Sequence, residues 1–527
     1  MKKDKYEFLQ YLYKVLKKHD TEILKHFNDD SISDNDYFFY GINSDIMSNA
    51  LHIVINYLSG NVESAGVDLS CRTIMEAMVI LKLDASGKIS EKQKTIYRYL
   101  YACVDLDNFK KILPNVNYSV KAFEKVSKDK EIAIQAMIEH FKCSREDLSN
   151  KKYKIDDPCF YLKTTLKEDI RFAILLRDYP IANENVVKMY EFFSLFIHPR
   201  CEMNKDASDA IMSLREKYVD NLLFIVRDYL TSCKLLISKE EDKKTTNFDQ
   251  DFFYNPILSN NVHNVKDIEH MFHYLMESFC RLKNGIDWFT WSFLEKTKYI
   301  VIDMLISKSL GYKEHVISIF KTLIEQYSIY FEICSHQEMK EFNILKKAFW
   351  ISSRVQFESH FEEMGIENSI APINDIKEVF EKYYKEKYKL NNVEIFYERM
   401  KSNSLYFLSD GSKSYNFHVK NLLNIVFPEE QAKTDIYVLY RISNDMGHAS
   451  GYNFNASPGL VDTYCCKSAL YIWLLIKHFV FTLSDVLKSH NEECNVEAII
   501  LLMDLLISDE INTLNKVNES YKEKVKC

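Results

Sequence analysis

Glycine and proline are scarce, at 11 and 8 among 527 residues, against roughly 7% and 5% in ordinary chains. Tight turns between strands draw on both residues, whereas long helices need neither. The scarcity argues against a turn-rich β architecture and predicts an all-α chain. No Gly-x4-Gly-Lys-Ser/Thr phosphate loop and no Gly-x-Gly-x-x-Gly fingerprint occurs, which argues against a P-loop ATPase or a dinucleotide-binding fold. Gly447-His-Ala-Ser450-Gly451 has its serine in the wrong place for a nucleophile elbow. The 12 cysteines include no Cys-x-x-Cys pair, so they read as reduced core thiols of a cytoplasmic protein. No secretory leader is visible, because Met1-Lys-Lys-Asp-Lys5 runs into the charged, amphipathic Tyr6-Glu-Phe-Leu9. The most apolar stretch, Ala469 to Leu483, carries Lys477 and His478 and is too short to span a bilayer. It predicts a buried helix and no membrane partner.

Positive charge is not in excess either. The net charge is −8 and the pI about 6.1, so contact with nucleic acid needs a local basic patch on an acidic protein. The chain is 47% hydrophobic and 27% charged, an ordinary soluble balance, and its length calls for several domains. Residues 239–262, from Lys239-Glu-Glu-Asp-Lys-Lys to Asn260-Asn-Val, read as a linker. They divide the chain into a first helical domain, 1–238, and a second, 263–527. Helical periodicity places helices near 92–112, 163–177, 184–198 and 207–237 in the first domain. In the second it gives a long helical run over 264–309, then helices over Ile317–Ile333, 434–446, 461–488 and 496–507, followed by a charged tail. The polar stretches 144–160 and 381–414 match one another, and the first reads as a surface loop.

What the chain does contain is one polar skeleton, twice. Arg72-Thr-Ile-Met-Glu76 interrupts an apolar helical stretch and is followed by Tyr190-x3-Ser194-x3-His198. Lys321-Thr-Leu-Ile-Glu325 does the same and is followed by Tyr440-x3-Asn444-x3-His448. Glu76 precedes its histidine by 122 residues and Glu325 by 123, which predicts a duplicated unit. Each cation and carboxylate sit at i and i+4 on one helix face. Two readings follow: a simple intrahelical ion pair, or a polar network that orients something.

The second copy carries more chemistry. Arg441-Ile-Ser-Asn-Asp-Met-Gly-His448 sets an arginine and a histidine two helical turns apart. Gly447, Gly451 and Gly459 gather within 13 residues. A guanidinium beside a titratable imidazole suits phosphate chemistry. The other reading is a helix end at Gly447, with His448 sitting favourably at the negative end of the dipole. His263, Asp267, His270, His273 and Glu277 share one helix without a zinc motif, so they read as a solvated face and predict no metal. No cofactor is expected.

Arg-x6-His behind a helical bundle resembles the HEPN superfamily (higher eukaryotes and prokaryotes nucleotide-binding). The Arg/Glu helix followed by the Tyr/Ser/His helix is similar to an uncharacterised bacterial HEPN-like family. The resemblance implies two HEPN-like helical bundles packed as a pseudo-symmetric pair, with a metal-independent endoribonuclease site. It further implies a toxin-like effector in anti-phage defence, an RNA substrate such as tRNA or phage or host transcripts, a protein activator or inhibitor, and pairing of two motifs as in a homodimer. Arg441 and His448 match the motif, and Asn444 stands where HEPN motifs often carry a polar residue. Lys321, Glu325 and Tyr440 would support them, as would Arg72, Glu76, Tyr190 and Ser194 in the first half. His198 and Arg200 depart from the pattern: Glu191, Phe192 and Phe193 stand where the arginine belongs, and Arg200 follows the histidine. That departure keeps a second reading open, a non-catalytic sensor or scaffold that binds a nucleotide, RNA or protein.

Overall fold

A computed structural model describes residues 3–26, 34–85, 142–148, 186–197, 205–233, 265–280, 288–335, 341–360, 373–402, 415–427, 429–446, 458–489 and 496–526, with a few isolated residues between them. Every regular element among the described residues is helical. The first half contributes α1 (Lys3–His26), α2 (Asp34–Leu58), α3 (Ala65–Ala85), the single turn α4 (Arg145–Leu148), α5 (Val186–Ile197) and α6 (Lys205–Ser232). The second half begins with α7 (Val265–Cys280), α8 (Trp288–Leu310), α9 (Lys313–Cys334) and α10 (Glu341–Gln356). It continues through α11 (Ile373–Val379), α12 (Val393–Ser402), α13 (Tyr415–Val426), α14 (Glu430–Met446), α15 (Pro458–Ser489) and α16 (Val496–Lys526).

The order of packing in one half recurs in the other. α1 lies on α2, α2 on α3, and α3 on α5, while α6 touches both α2 and α5. Likewise α7 lies on α8, α8 on α9, and α9 on α14, while α15 touches both α8 and α14. Each α2–α3 and α8–α9 hairpin turns on a glycine in the left-handed region, Gly60 at φ +80° and Gly311 at φ +79°, where a Cβ would be strained. Both turns close with the paired bonds of a Schellman cap. Gly60 and Gly311 donate to Tyr57 and Lys308, and the next residues, Asn61 and Tyr312, donate to Asn56 and Ser307 at 2.9 and 2.8 Å.

α9 is the most enclosed element, with Val316, Ile317, Phe320, Leu323, Ile324 and Tyr327 all buried. It packs on α8, α13, α14 and α15, and it also reaches α3 of the first half. One continuous apolar core therefore runs from α1 to α16.

Several local expectations change. The stretch 144–160 opens, over its described part, with a helical turn. Ser144 Oγ accepts from the Asp147 N–H at 3.2 Å and Asp147 Oδ2 accepts from the Ser144 N–H at 3.0 Å, a reciprocal capping box that starts a helix. Residues 381–402 are largely helical, because Phe380, Tyr384, Phe396 and Met400 supply a buried face among the surface lysines. The last helix continues through the charged tail to Lys526. The apolar part of α15, Val461–Ser484, is 24 residues, long enough by length and composition to cross a membrane, so the shorter stretch read from the sequence underestimates it. Ile472, Trp473, Ile476 and Phe479 on this helix are buried in the core, and Lys477 is paired with Asp504 of α16.

Of the linker span, Phe248 is described and docked. Its N–H donates to Gln10 Oε1 at 2.8 Å, its carbonyl accepts from Gln10 Nε2 at 3.1 Å, and its ring meets Tyr13 edge-on. The helices expected at 92–112 and 163–177 lie outside the described residues.

Candidate functional site

The two polar clusters form brackets between helices. In the first, Glu76 on α3 is almost fully enclosed. Its Oε1 accepts from Arg72 Nε at 3.0 Å and from the Tyr190 hydroxyl of α5 at 2.9 Å. The Arg72 guanidinium also lies over the Tyr190 ring, 5.6 Å from its centroid. In the second, Glu325 Oε1 on α9 accepts from the Tyr440 hydroxyl of α14 at 3.0 Å, and Lys321 Nζ stands 4.0 Å away. Burial first, and then the neighbouring carboxylate, raise both tyrosine hydroxyls well above the ordinary range. Both phenols therefore stay protonated donors. Burial disfavours the Arg72 charge, but Glu76 and Tyr190 together outweigh it and raise the guanidinium further. Buried charges of this kind are tolerated because they are paired and hydrogen-bonded.

The remaining predicted residues divide. Ser194 spends its hydroxyl on its own helix, donating to the Tyr190 carbonyl at 2.8 Å. Arg441 follows Tyr440 on α14 and is exposed. Its guanidinium has no hydrogen bond or ion pair among the described residues. Glu191 holds the corresponding place after Tyr190 on α5 and is exposed as well. His198, Arg200 and His448 lie outside the described residues, and so does the Asn444 side chain. The described parts of α5 and α14 reach Ile197 and Met446, one residue and two residues before those histidines. On α5, Phe192 and Phe196 meet Phe357 of the second half at 5.9 and 5.4 Å between ring centroids, and Phe192 meets His360 at 5.2 Å. The end of the helix that leads to His198 is thus packed against the other half.

On α7, His273 Nε2 lies 3.2 Å from Glu277 Oε1, with both side chains exposed. His263 and the Asp267 side chain lie outside the described residues. Among the described residues no three His, Cys, Asp or Glu side chains converge as a metal site would require.

A second polar centre escaped the sequence reading. His52 of α2 and Asp303 of α8 are both fully buried, with His52 Nε2 2.5 Å from Asp303 Oδ1. Ser70 Oγ lies 2.9 Å from His52 Nδ1, Asn56 Nδ2 and Ser307 Oγ donate to Asp303 Oδ1, and Ser64 donates to Asp303 Oδ2. The His315 ring of α9 stands edge-on to His52 at 4.2 Å. Burial first, then His52, push the His315 imidazole well below its usual range, so it stays neutral. Close by, Arg215 of α6 bonds Asp68 of α3 through Nε and a terminal nitrogen at 2.7 and 2.9 Å. Its other bonds go to the Val62 and Ser64 carbonyls. Burial raises the Asp68 carboxyl to about 6, against the opposing pull of Arg215. The serine, histidine and aspartate resemble a hydrolytic triad in composition, but all three are enclosed. They tie the two halves together rather than facing a substrate. The available signal was positional: His52 and Asp303 each interrupt an apolar run, eight residues before Gly60 and Gly311.

No known protein family, curated protein or solved structure matches the chain.

Proposed function

We propose that the chain is a tandem pair of HEPN-like helical bundles whose second half carries a metal-independent endoribonuclease site. The recurring order of helix packing and the twin Glu–Tyr brackets support the tandem reading. One observation carries the functional reading: Tyr440 is anchored to Glu325, and the next residue, Arg441, is exposed and has no hydrogen bond or ion pair among the described residues. An anchored backbone with an exposed guanidinium suits an anion that arrives from solution.

In this reading His448 takes the proton from a ribose 2′-hydroxyl as that oxygen attacks the adjacent phosphorus. The bond to the 5′-oxygen breaks, and the His448 imidazolium returns a proton to that oxygen, which leaves as a 5′-hydroxyl. Arg441 stabilises the charge gathered on the phosphorane, and Asn444 positions the phosphate. The products are a 2′,3′-cyclic phosphate and a 5′-hydroxyl. Lys321, Glu325 and Tyr440 keep α14 in register, and Arg72, Glu76 and Tyr190 do the same for α5, while Ser194 is bonded within α5 itself. His198 and Arg200 complete the groove from the first half. The substrate class is RNA, within a toxin-like effector role in anti-phage defence that a protein partner would switch.

The test is to induce the wild type and His448→Ala in a bacterial host and map RNA ends bearing 2′,3′-cyclic phosphate. New ends with the wild type alone support the reading and identify the substrate. Equal end profiles from two folded, soluble proteins shift the weight to a second reading, a non-catalytic binding module. Glu191 favours that second reading, since a carboxylate at the place of Arg441 repels phosphate from the first half.

A further inference from the structure

The enclosed His52–Asp303 contact has a feature beyond its bonds. His52 lies eight residues before the left-handed Gly60 and Asp303 eight before the left-handed Gly311. The two residues hold the same position in corresponding hairpins and touch each other. Across a two-fold axis, a residue meets its own equivalent only on the axis itself.

The flanking contacts follow the same rule. Counting back from Glu76 and Glu325, Gly66 and His315 correspond, each ten residues before its glutamate. Gly66 presses against Asp303 so closely that an added Cβ would fall 2.0 Å from Asp303 Oδ2. His315 presses against His52, with ring centroids 4.2 Å apart. Each is a contact from the start of the second helix of one half's hairpin to the axis residue of the other half. This reciprocity, i to j and j to i, defines an isologous interface.

We infer that the two halves meet about a local two-fold axis between His52 and Asp303, and that this imidazole–carboxylate pair makes each half select the other over a copy of itself. A first half meeting its own copy would bury two imidazoles on the axis. A second half meeting its own copy would bury two carboxylates. Like groups enclosed together are disfavoured, whereas the mixed pair is hydrogen-bonded and complementary. The chain thus supplies its own two-fold partner. The inference rests on the tandem reading and not on RNA cleavage, so a chain without nuclease activity leaves it standing.

The experiment is a residue exchange in the full-length chain, read by thermal melting. His52→Asp places two carboxylates on the axis, and Asp303→His places two imidazoles there. Each single change is expected to lower Tm by roughly 3–5 °C. The double variant, His52→Asp with Asp303→His, should recover at least half of that loss. A double variant that melts at or below the worse single variant overturns the inference.

If the single variants fail to fold, the wild type decides. A protease site is inserted between Pro256 and Ser259 and cut after purification, and the cut protein is diluted, reconcentrated and examined by native mass spectrometry. A lone complex of one N-terminal and one C-terminal fragment supports the inference. Separate fragments, or pairs of like fragments, overturn it.

Discussion

The two brackets share a carboxylate–phenol bond of nearly equal length, 2.9 and 3.0 Å, but differ in their cation. Arg72 bonds Glu76 and also lies over the Tyr190 ring. Lys321 has only a point charge, 4.0 Å from Glu325. A guanidinium pairs and stacks at once, and an ammonium does not. α5 is therefore the more firmly held helix, yet it presents Glu191. α14 is held more loosely and presents Arg441. Firm anchoring and phosphate-binding chemistry have separated into different halves, as expected if one half is chiefly a scaffold.

The largest expected effect strikes the firmer bracket. Glu76→Gln leaves the Arg72 charge in an apolar setting with its ion pair removed, and breaking such a pair costs about 3–5 kcal/mol. Glu325→Gln should cost less, about 1–2 kcal/mol, because the lysine contact is longer and the main loss is one phenol bond to a charged acceptor. Urea unfolding of both variants measures the difference. Equal losses would remove the distinction between the brackets.

Next comes the contrast between Arg441 and Glu191. Arg441→Ala should lower the yield of cyclic-phosphate ends about a hundredfold, the scale of losing one transition-state charge partner, with unchanged melting because the side chain is exposed. Glu191→Ala should leave the yield within about twofold. Comparable losses from both would mean that the site belongs to both halves.

A pH effect follows in size. Asp45 on α2 has one carboxyl oxygen enclosed without a hydrogen-bond partner. Burial, and then Glu314 of α9, hold its carboxyl at about 8 against an ordinary 3.8. The folded form binds the proton more tightly than the unfolded form, so stability should fall as pH rises from about 4 to 8. Asp45→Asn keeps a neutral group there. It should flatten that decline and raise Tm at pH 8 by several degrees while changing little at pH 4. An unaltered pH profile would show that the carboxyl titrates normally.

The all-α fold was legible from the scarcity of glycine and proline, since no sheet of this size closes without turns. The brackets were legible because i, i+4 pairs leave a local mark and the mark occurs twice. Glu76 and Tyr190 are 114 positions apart, and Glu325 and Tyr440 are 115. The His52–Asp303 centre leaves a fainter mark, one polar residue eight positions before each hairpin glycine. Its partners stand 251 positions apart, and each alone reads as one polar residue in an apolar helix. The helical character of residues 381–402 was hidden for a different reason. Lysines and tyrosines raise the apparent polarity, although Tyr384, Phe396 and Met400 are spaced to bury one face.

The smallest effect tests the cation alone. Lys321→Arg gives the second bracket the chemistry of the first. The new guanidinium can donate to Glu325 and lie over the Tyr440 ring, as Arg72 does over Tyr190. The gain should be about 0.5–1 kcal/mol, a rise in Tm of about 0.5–1 °C. Room is the opposing term, since Lys321 lies on the most enclosed helix and overpacking a core costs about 1–3 kcal/mol. Arg72→Lys controls for this, because it removes bulk and should still lose a comparable amount. If Lys321→Arg destabilises while Arg72→Lys does not, the lysine is there to fit the cavity and the brackets are not chemical equivalents. If the two changes move stability in opposite directions by similar amounts, the cation alone accounts for the difference in anchoring between α5 and α14.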